Sequence, residues 1–424
     1  MWLLTDLLKN EFHGHKNKDV TTVNSFNRPT SNYNHHPDSD LDQEKVETIY
    51  KRVVIKAGTS VLTGDSTSEI LDHDRMADLV FQLSQLNLTN STEVLLVSSG
   101  AIAAGREILG QATNVNHGRN IINRQMLAAI GQGRLIHLYQ ELFAKQNVQV
   151  AQTLLTVNDI SERHSYLNLR NTLLGLLDLN IIPILNENDV VAVDEIGEVF
   201  GDNDRLSALV ATLVDADLLV ILTDIDGLYT SDPRTNPKAN LVPIVELIDS
   251  TVDSMVGEHL NPLSRGGMFT KIQAARLVTT AGIPMIICNG NTTDSILKAV
   301  TGDTNGTLFR PAGGKLEARK RWMLSQAKDT ESGEILIDPG AVRAIVENRV
   351  SLLPAGIIDV RGEFARGEIL FITDDNGNHV ACGIANYSSS DIISIKGFRS
   401  DRILNLLGYY FGQEVVHCNN IVLL

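Results

Sequence analysis

From residue 49 onward, short runs of β-branched and aliphatic residues alternate with longer stretches whose apolar positions recur at helical spacing. The runs "RVVIKAGTS" (52–60), "EVLLVSSGAIAAG" (93–105), "NIIPILNEND" (180–189), "DLLVILTDIDG" (217–227) and "GIPMIICNG" (282–290) each pass from an apolar segment into a polar or glycine-rich break. Strands that are apolar at successive positions are buried on both faces, as in a parallel sheet covered by helices. Leu206, Leu209, Val210, Leu213 and Val214 recur at i, i+3, i+4, i+7 and i+8, which predicts an amphipathic helix. In such an α/β architecture ligands bind beyond the carboxyl ends of the strands, so the breaks are where chemistry is sought. Beyond about residue 310 the pattern changes to short strands and turns such as Asp375-Asn376-Gly377. That predicts a small β-barrel of roughly 90 residues. The expected division is residues 49–310, a linker over 311–333, and the barrel over 334–424.

Residues 1–48 follow neither pattern. They are rich in Asn, Asp, His, Ser and Thr, and hold four of the eleven histidines: His13, His15, His35 and His36. The expectation is a disordered or mis-annotated N-terminal extension. The opening "MWLLTDLLKN" lacks the basic stretch and apolar length of a signal peptide, and the lone Arg28 does not suit a transit peptide. An over-extended start would imply a codon other than ATG, because the next methionine, Met76, lies too late.

Composition narrows the class. The 424 residues are 43% hydrophobic and 21% charged, in line with a globular protein of two or three domains. The longest apolar runs are strand-sized, too short for a membrane span. A net charge of −15 argues against nonspecific nucleic-acid binding, though not against an anion held in a local basic pocket. Cys288, Cys382 and Cys418 have no metal-like spacing, which predicts a reducing cytoplasm without structural disulfides.

Six stretches, two of them overlapping, carry candidate chemistry. "GDNDRLSALVATLV" (201–214) sets two carboxylates and an amide before a helix, where capping needs only one such residue. Lys56 ends a strand two residues before Gly58; it is either a lysine snorkelling at a strand end or one aimed at phosphate, with backbone N–H groups near Gly58, Thr59 and Ser60. No Walker A pattern is present. "SSGAIAAG" (98–105) fits an anion pocket or tight packing by small residues. "NENDVVAVDEIGEVFGDND" (186–204) is dense in acids, with Arg205 the nearest basic residue; it is either a solvated loop or an acceptor site for a substrate bearing an ammonium group. "TDIDGLYTSDPRTNP" (223–237) fits a turn region or a nucleotide contact, and "SRGGMFTKIQAA" (264–275) a glycine pair and lysine for phosphate.

These pieces, in this order, resemble the amino-acid kinase family and, within it, the glutamate 5-kinases. The matching strings are "IKAGTSVLTG", "VSSGAIAAGR", "AAIGQGRLI", "PILNENDVV", "GDNDRLSAL", "LTDIDGLYTSDPR" and "GGMFTKIQAA", and the tail from about 334 to 412 resembles a PUA domain. The resemblance implies a three-layer αβα sandwich and ATP-dependent phosphorylation of the glutamate side-chain carboxylate, the first step of proline synthesis. It implies catalytic roles for Lys56, Asp204 and Lys271, and glutamate binding by Ser99, Asp189 and Asn203. ATP contacts fall on Lys56, Gly58, Thr223, Asp224, Arg265, Gly266, Gly267, Met268, Phe269, Thr270 and Lys271, with Mg²⁺ as cofactor and no protein metal ligands assigned. It further implies a homo-oligomer, feedback inhibition by proline, and hand-off of the product to a downstream reductase. Two departures stand out: Ala57 replaces the usual leucine, and Ser264-Arg265 replace the usual Gly-Thr. Asp189–Gly201 is also somewhat longer than in some relatives. PUA-like barrels often bind RNA, but residues 317–424 carry 11 Lys+Arg against 14 Asp+Glu, so a structural or regulatory role is expected.

Overall fold

The computed structural model describes residues 50–63, 70–89, 92–110, 121–192, 203–256, 267–303, 306–311, 313–314 and 333–424. The N-terminal extension, most of the linker, Arg265 and Gly266 lie outside them.

The first sheet has eight strands: β1 (Arg52–Ala57), β2 (Glu93–Ser98), β3 (Val150–Leu155), β4 (Ile182–Glu187), β5 (Leu218–Thr223), β6 (Ile244–Val245), β7 (Met285–Asn289) and β8 (Thr307–Phe309). Their order is β3-β4-β2-β1-β5-β7-β8-β6, and every neighbouring pair is parallel except β7 with β8. The five apolar runs became β1, β2, β4, β5 and β7, the buried middle. β3 went unrecognised because it lies at an edge and its "VAQTLL" is half exposed. β6 and β8 are two and three residues long, too short to show a period.

The helices of this region are α1 (Thr59–Leu62), α2 (His73–Thr89), α3 (Ala101–Leu109), α4 (Ile121–Lys145), α5 (Val157–Ser161), α6 (Arg163–Asp178), α7 (Asn203–Leu213), α8 (Ser250–Val256), α9 (Met268–Thr280) and α10 (Ser295–Thr301). Strand alternation divides the core in two. Val53, Ile55, Val94, Leu96, Val220 and Ile286 pack with α2, α3, α4 and α10. Val54, Leu95, Val97, Leu219, Ile221 and Ile287 pack with α6, α7 and α9. The sheet is therefore the middle of three layers, and successive side chains of one strand serve opposite layers. Lys56 has the parity of Val54, so it faces the α7 layer.

The small residues of "SSGAIAAG" serve mainly packing, but between helices rather than between helix and strand. A Cβ on Gly105 would lie 2.1 Å from Leu127 O, and one on Gly131 only 1.9 Å from Ala101 O. α3 and α4 thus meet backbone to backbone. Gly100, with φ +103°, turns the chain from β2 into α3, a conformation that costs glycine little.

The C-terminal region forms a second sheet from β9 (Glu334–Ile337), β10 (Ile357–Arg361), β11 (Ile369–Thr373), β12 (His379–Ile384) and β13 (Ile421–Leu423), in the order β10-β9-β11-β12-β13. β9 and β11 are parallel and the other pairs antiparallel. Where the sequence predicts a barrel, the described strands make this five-stranded sheet, with one further bridge between Leu352 and Val416. Its core is built on Ile335, Ile337, Leu370, Ile372 and Tyr387. α11 (Pro339–Asn348) starts under an Asp338 cap that accepts from Ala341 N at 2.7 Å; α12 (Ser389–Ile395) and α13 (Ile403–Leu407) complete the region.

Candidate active site

β1, β2, β4, β5 and β7 end on one edge of the sheet, and β2 and β5 flank β1 on opposite sides. The first turn of α7 sits above this edge, and its first two side chains diverge.

Asp204 turns toward β1 and α9. Its Oδ1 lies 2.6 Å from Lys56 Nζ and its Oδ2 3.1 Å from Lys271 Nζ. Thr270 Oγ1 donates to the same Oδ2 at 2.7 Å. All four residues are buried, Asp204 at 1% exposure. Burial by itself would raise the Asp204 carboxyl; the Lys56 and Lys271 ammonium groups, with hydrogen bonds from Lys56 and Thr270, outweigh it and hold the group well below the usual carboxylate range. A lone buried ammonium is costly, and two side by side repel; the carboxylate between them offsets both penalties. The trio by itself carries one net positive charge. Gly58 contributes space: a Cβ there would stand 3.3 Å from Lys56 Nζ.

Asn203 turns the other way, toward β2 and β4. Its Nδ2 donates to Ser98 O at 3.1 Å, Ser99 Oγ at 3.0 Å and Asn186 Oδ1 at 3.2 Å. A carbonyl can only accept, so Ser98 O fixes which end of the amide points there. The opposite atom, Asn203 Oδ1, is buried and has no hydrogen-bond partner among the described residues. A buried acceptor left unmet costs about 1–3 kcal/mol, which suits an atom reserved for a ligand donor. Asn186 in turn donates to Gln132 Oε1 on α4 at 2.8 Å.

Asp189 lies in the turn after β4, and Asn188 N donates to Leu155 O at 2.9 Å beside it. Burial pushes its carboxyl up to about 6, with the Arg124 guanidinium acting against that rise. Gln125 Nε2 reaches Val190 O at 3.4 Å, so the start of α4 braces this turn. The hydrogen bonds of the Asn203 cluster do not include Asp189.

At the end of β5, Thr223 is buried; its Oγ1 donates to Asp224 Oδ1 at 3.1 Å and its carbonyl accepts from Gly290 N at 2.9 Å. Asp224 is exposed. Asp226 ties the loop to β7 by accepting from Asn289 Nδ2 at 3.0 Å. Gly267 precedes α9, with Met268 half-buried, Phe269 exposed, and Thr270 and Lys271 buried on Asp204.

The Amino acid kinase family model matches residues 51–289, and the PUA domain model matches residues 333–407. A glutamate 5-kinase of Dehalococcoides mccartyi is 49% identical over 380 residues, covering 89% of this chain and 100% of that protein. Those of Herpetosiphon aurantiacus and Vibrio vulnificus are 48% and 46% identical, each over 88% of this chain and over 98% and 96% of their own lengths. The chain belongs to the amino acid kinase family, on its glutamate 5-kinase branch.

Within that family frame, the structure brings Lys56, Asp204, Lys271 and Thr270 into one cluster and Ser99 and Asn203 into another. Asn186 lay in the acidic stretch offered as an acceptor site but was given no role of its own, and Gln132 and Arg124 were absent from the expected site. Asn186 was within reach of the sequence, as a polar residue closing a buried strand. Gln132 and Arg124 sit on α4, more than fifty residues earlier, and only the packing of that helix brings them in.

Proposed function

We propose that this chain transfers the γ-phosphoryl group of ATP to the side-chain carboxylate of L-glutamate, giving L-glutamyl 5-phosphate and ADP, the first step of proline biosynthesis. The observation that carries the reading is the divergence of Asn203 and Asp204 from one helix turn, one toward an acceptor pocket and the other onto two buried lysines. The acceptor carboxylate is already ionised at neutral pH and needs no general base. The obstacle is the approach of one anion to another, so catalysis consists of positioning and charge neutralisation. Lys56 and Lys271 supply the charge, and Asp204 sets their separation. Asn203 Oδ1 and the Asp189 carboxylate are acceptors for the substrate ammonium, and Ser99 orients the substrate. The ammonium requirement favours glutamate over N-acetylglutamate; aspartate is the closest competitor by charge.

The nucleotide lies along Lys56, Gly58, Thr223, Asp224 and the loop Arg265, Gly266, Gly267, Met268, Phe269, Thr270 and Lys271. Among the described residues no group of three His, Cys, Asp or Glu side chains is placed to hold a metal ion. Asp204 is already shared by two ammonium groups. The residues present therefore fit a Mg²⁺ that arrives on the ATP phosphates rather than one held in a protein cage, and its contribution is neutralisation of phosphate charge.

The same reading takes 49–310 as the catalytic domain and 334–424 as a PUA-like domain, in a cytoplasmic homo-oligomer. Among the described residues no helix is long and apolar enough to cross a membrane. Ile122, Met126 and Ile130 form an exposed apolar stripe at i, i+4 and i+8 on α4, which supports association with a second copy. The proposal extends, by analogy with the family, to feedback by proline and transfer of the labile acyl phosphate to a reductase. The alternative for the C-terminal region, RNA binding, draws on exposed Tyr409, Tyr410 and Phe411 as stacking faces, against a local excess of acids.

The test supplies ATP, Mg²⁺ and hydroxylamine with glutamate, aspartate or N-acetylglutamate. Hydroxamate formed with glutamate alone is the expected result. Hydroxamate with another acid moves the specificity away from Asp189, and none with any acid removes the proposed reaction.

A further inference from the structure

α6 is packed on two sides. Leu173, Leu174 and Leu177 join the core beneath the first sheet, while Leu167 packs with Cys382, Ile384 and Val422 of the second. Between these two sets lies Arg170, 2% exposed and the largest fully buried side chain among the described residues. Its guanidinium is divided between two regions. Nε donates to Asn420 Oδ1 at 2.8 Å and Nη2 to Asn419 O at 3.0 Å, both just before β13. Nη2 also meets Asp215 Oδ2 at 2.5 Å, and Nη1 donates to Leu213 O.

Leu213 is the last residue of α7, and Asp215 follows it in a left-handed conformation with φ +53°. The final carbonyls of a helix have no intrahelical donor, and a cation there is favourable. Arg170 is thus the clamp on the carboxyl end of the helix whose amino end carries Asn203 and Asp204. The helix has eleven residues, a rod of about 16 Å. It is packed against both α9 and the sheet, so a shift at one end is carried to the other rather than absorbed.

We infer that Arg170 is a positioning residue for the reaction. Asn419 and Asn420 of the C-terminal region set the guanidinium, the guanidinium sets the end of α7, and α7 sets Asn203 and Asp204. The C-terminal region is then part of the catalytic apparatus rather than an appended module. The inference rests on the proposed roles of Asn203 and Asp204.

Arg170→Met in the full chain removes all four contacts while keeping an unbranched apolar stem. Misplacement of catalytic groups by a fraction of an ångström is costly, so the glutamate KM is expected to rise about fivefold or more and kcat to fall about tenfold. Asn420→Leu shifts both in the same direction by less. Asn168→Ala is the control: Asn168 is exposed on α6 and accepts from Arg366 Nη2 at 2.7 Å, so its loss loosens the same interface without touching α7. It is expected to leave the glutamate KM within about twofold. A purely structural role for Arg170 would lower the active fraction, and hence apparent kcat, with the glutamate KM unchanged. Should Arg170→Met fail to fold, Asn420→Leu and Asp215→Asn decide the matter by the same KM reading. Unchanged glutamate KM in the folded variants, or an equal shift in Asn168→Ala, overturns the inference. A wild-type chain that makes no hydroxamate from glutamate instead overturns the reaction itself.

Discussion

Asp204 and Asp189 are the same side chain in two environments at one edge of one sheet. Asp204 is almost fully buried, yet two ammonium groups hold it ionised far below the usual range. Asp189 is less enclosed, yet burial pushes it up to about 6, with the Arg124 guanidinium acting against the rise. Depth of burial therefore does not decide the charge of a carboxylate; its partners do. The difference matches the proposed division of labour. Asp204 is a permanent anion organising the cations that meet phosphate. In that proposal the Asp189 carboxylate is the group that pairs with the substrate ammonium.

The largest effect tests the Asp204 side. Asp204→Ala leaves Lys56 and Lys271 buried together with no shared counter-charge. It is expected to reduce kcat at least 10²-fold and to lower stability by about 3–5 kcal/mol, the usual result of removing one partner from a buried ion pair. Denaturant unfolding and hydroxamate kinetics on one preparation measure both. The depressed pKa makes this stabilisation complete at neutral pH and lost only in strong acid. A stable Asp204→Ala protein with near-normal kcat would break the comparison from that end.

Lys56→Ala follows. It removes one of the two cations and is expected to lower kcat by roughly 10²-fold or more, as the loss of one preorganised donor does elsewhere. A change below about threefold would remove Lys56 from the phosphate site.

The Asp189 side yields a pH signature. The acceptor must be ionised to pair with an ammonium, so the glutamate KM of the wild-type protein is expected to rise as pH falls through about 6. Asp189→Asn is expected to raise the neutral-pH KM severely and to abolish this dependence. Its effect on folding runs opposite to that of Asp204. A folded-state pKa above the unfolded value means that ionising Asp189 costs stability as pH rises from about 4 to 6. Asp189→Asn is therefore expected to be neutral or slightly stabilising at pH 7, which thermal melts would detect. A destabilised Asp189→Asn would show that the two carboxylates are not as different as their surroundings imply.

Much of this was legible beforehand for a local reason. Five strands of the first sheet are buried on both faces, so each appears as a continuous apolar run and its polar end marks the edge where ligands bind. Lys56 and Ser99 stand at such ends, and Asn203, Asp204 and Lys271 in the first turns of α7 and α9. The small residues near Gly105 were seen but their partner was not, because close approach to α4 leaves no mark in the segment itself. The half-exposed edge strand β3 and the very short β6 and β8 gave too little periodicity to detect.

Sequence alone determined the order of layers, the candidate lysines and the acid–amide pair that opens α7, since each depends on neighbours within a few residues. Tertiary structure decided which of those groups meet. It set Asp204 between lysines 148 and 67 positions away in the chain, brought Gln132 onto Asn186, and tied the end of α7 through Arg170 to residues at the far C-terminus. The physical reason is that hydrophobic periodicity is written locally, whereas the charge and hydrogen-bond partners of a buried group are supplied by whichever segments the packing brings together.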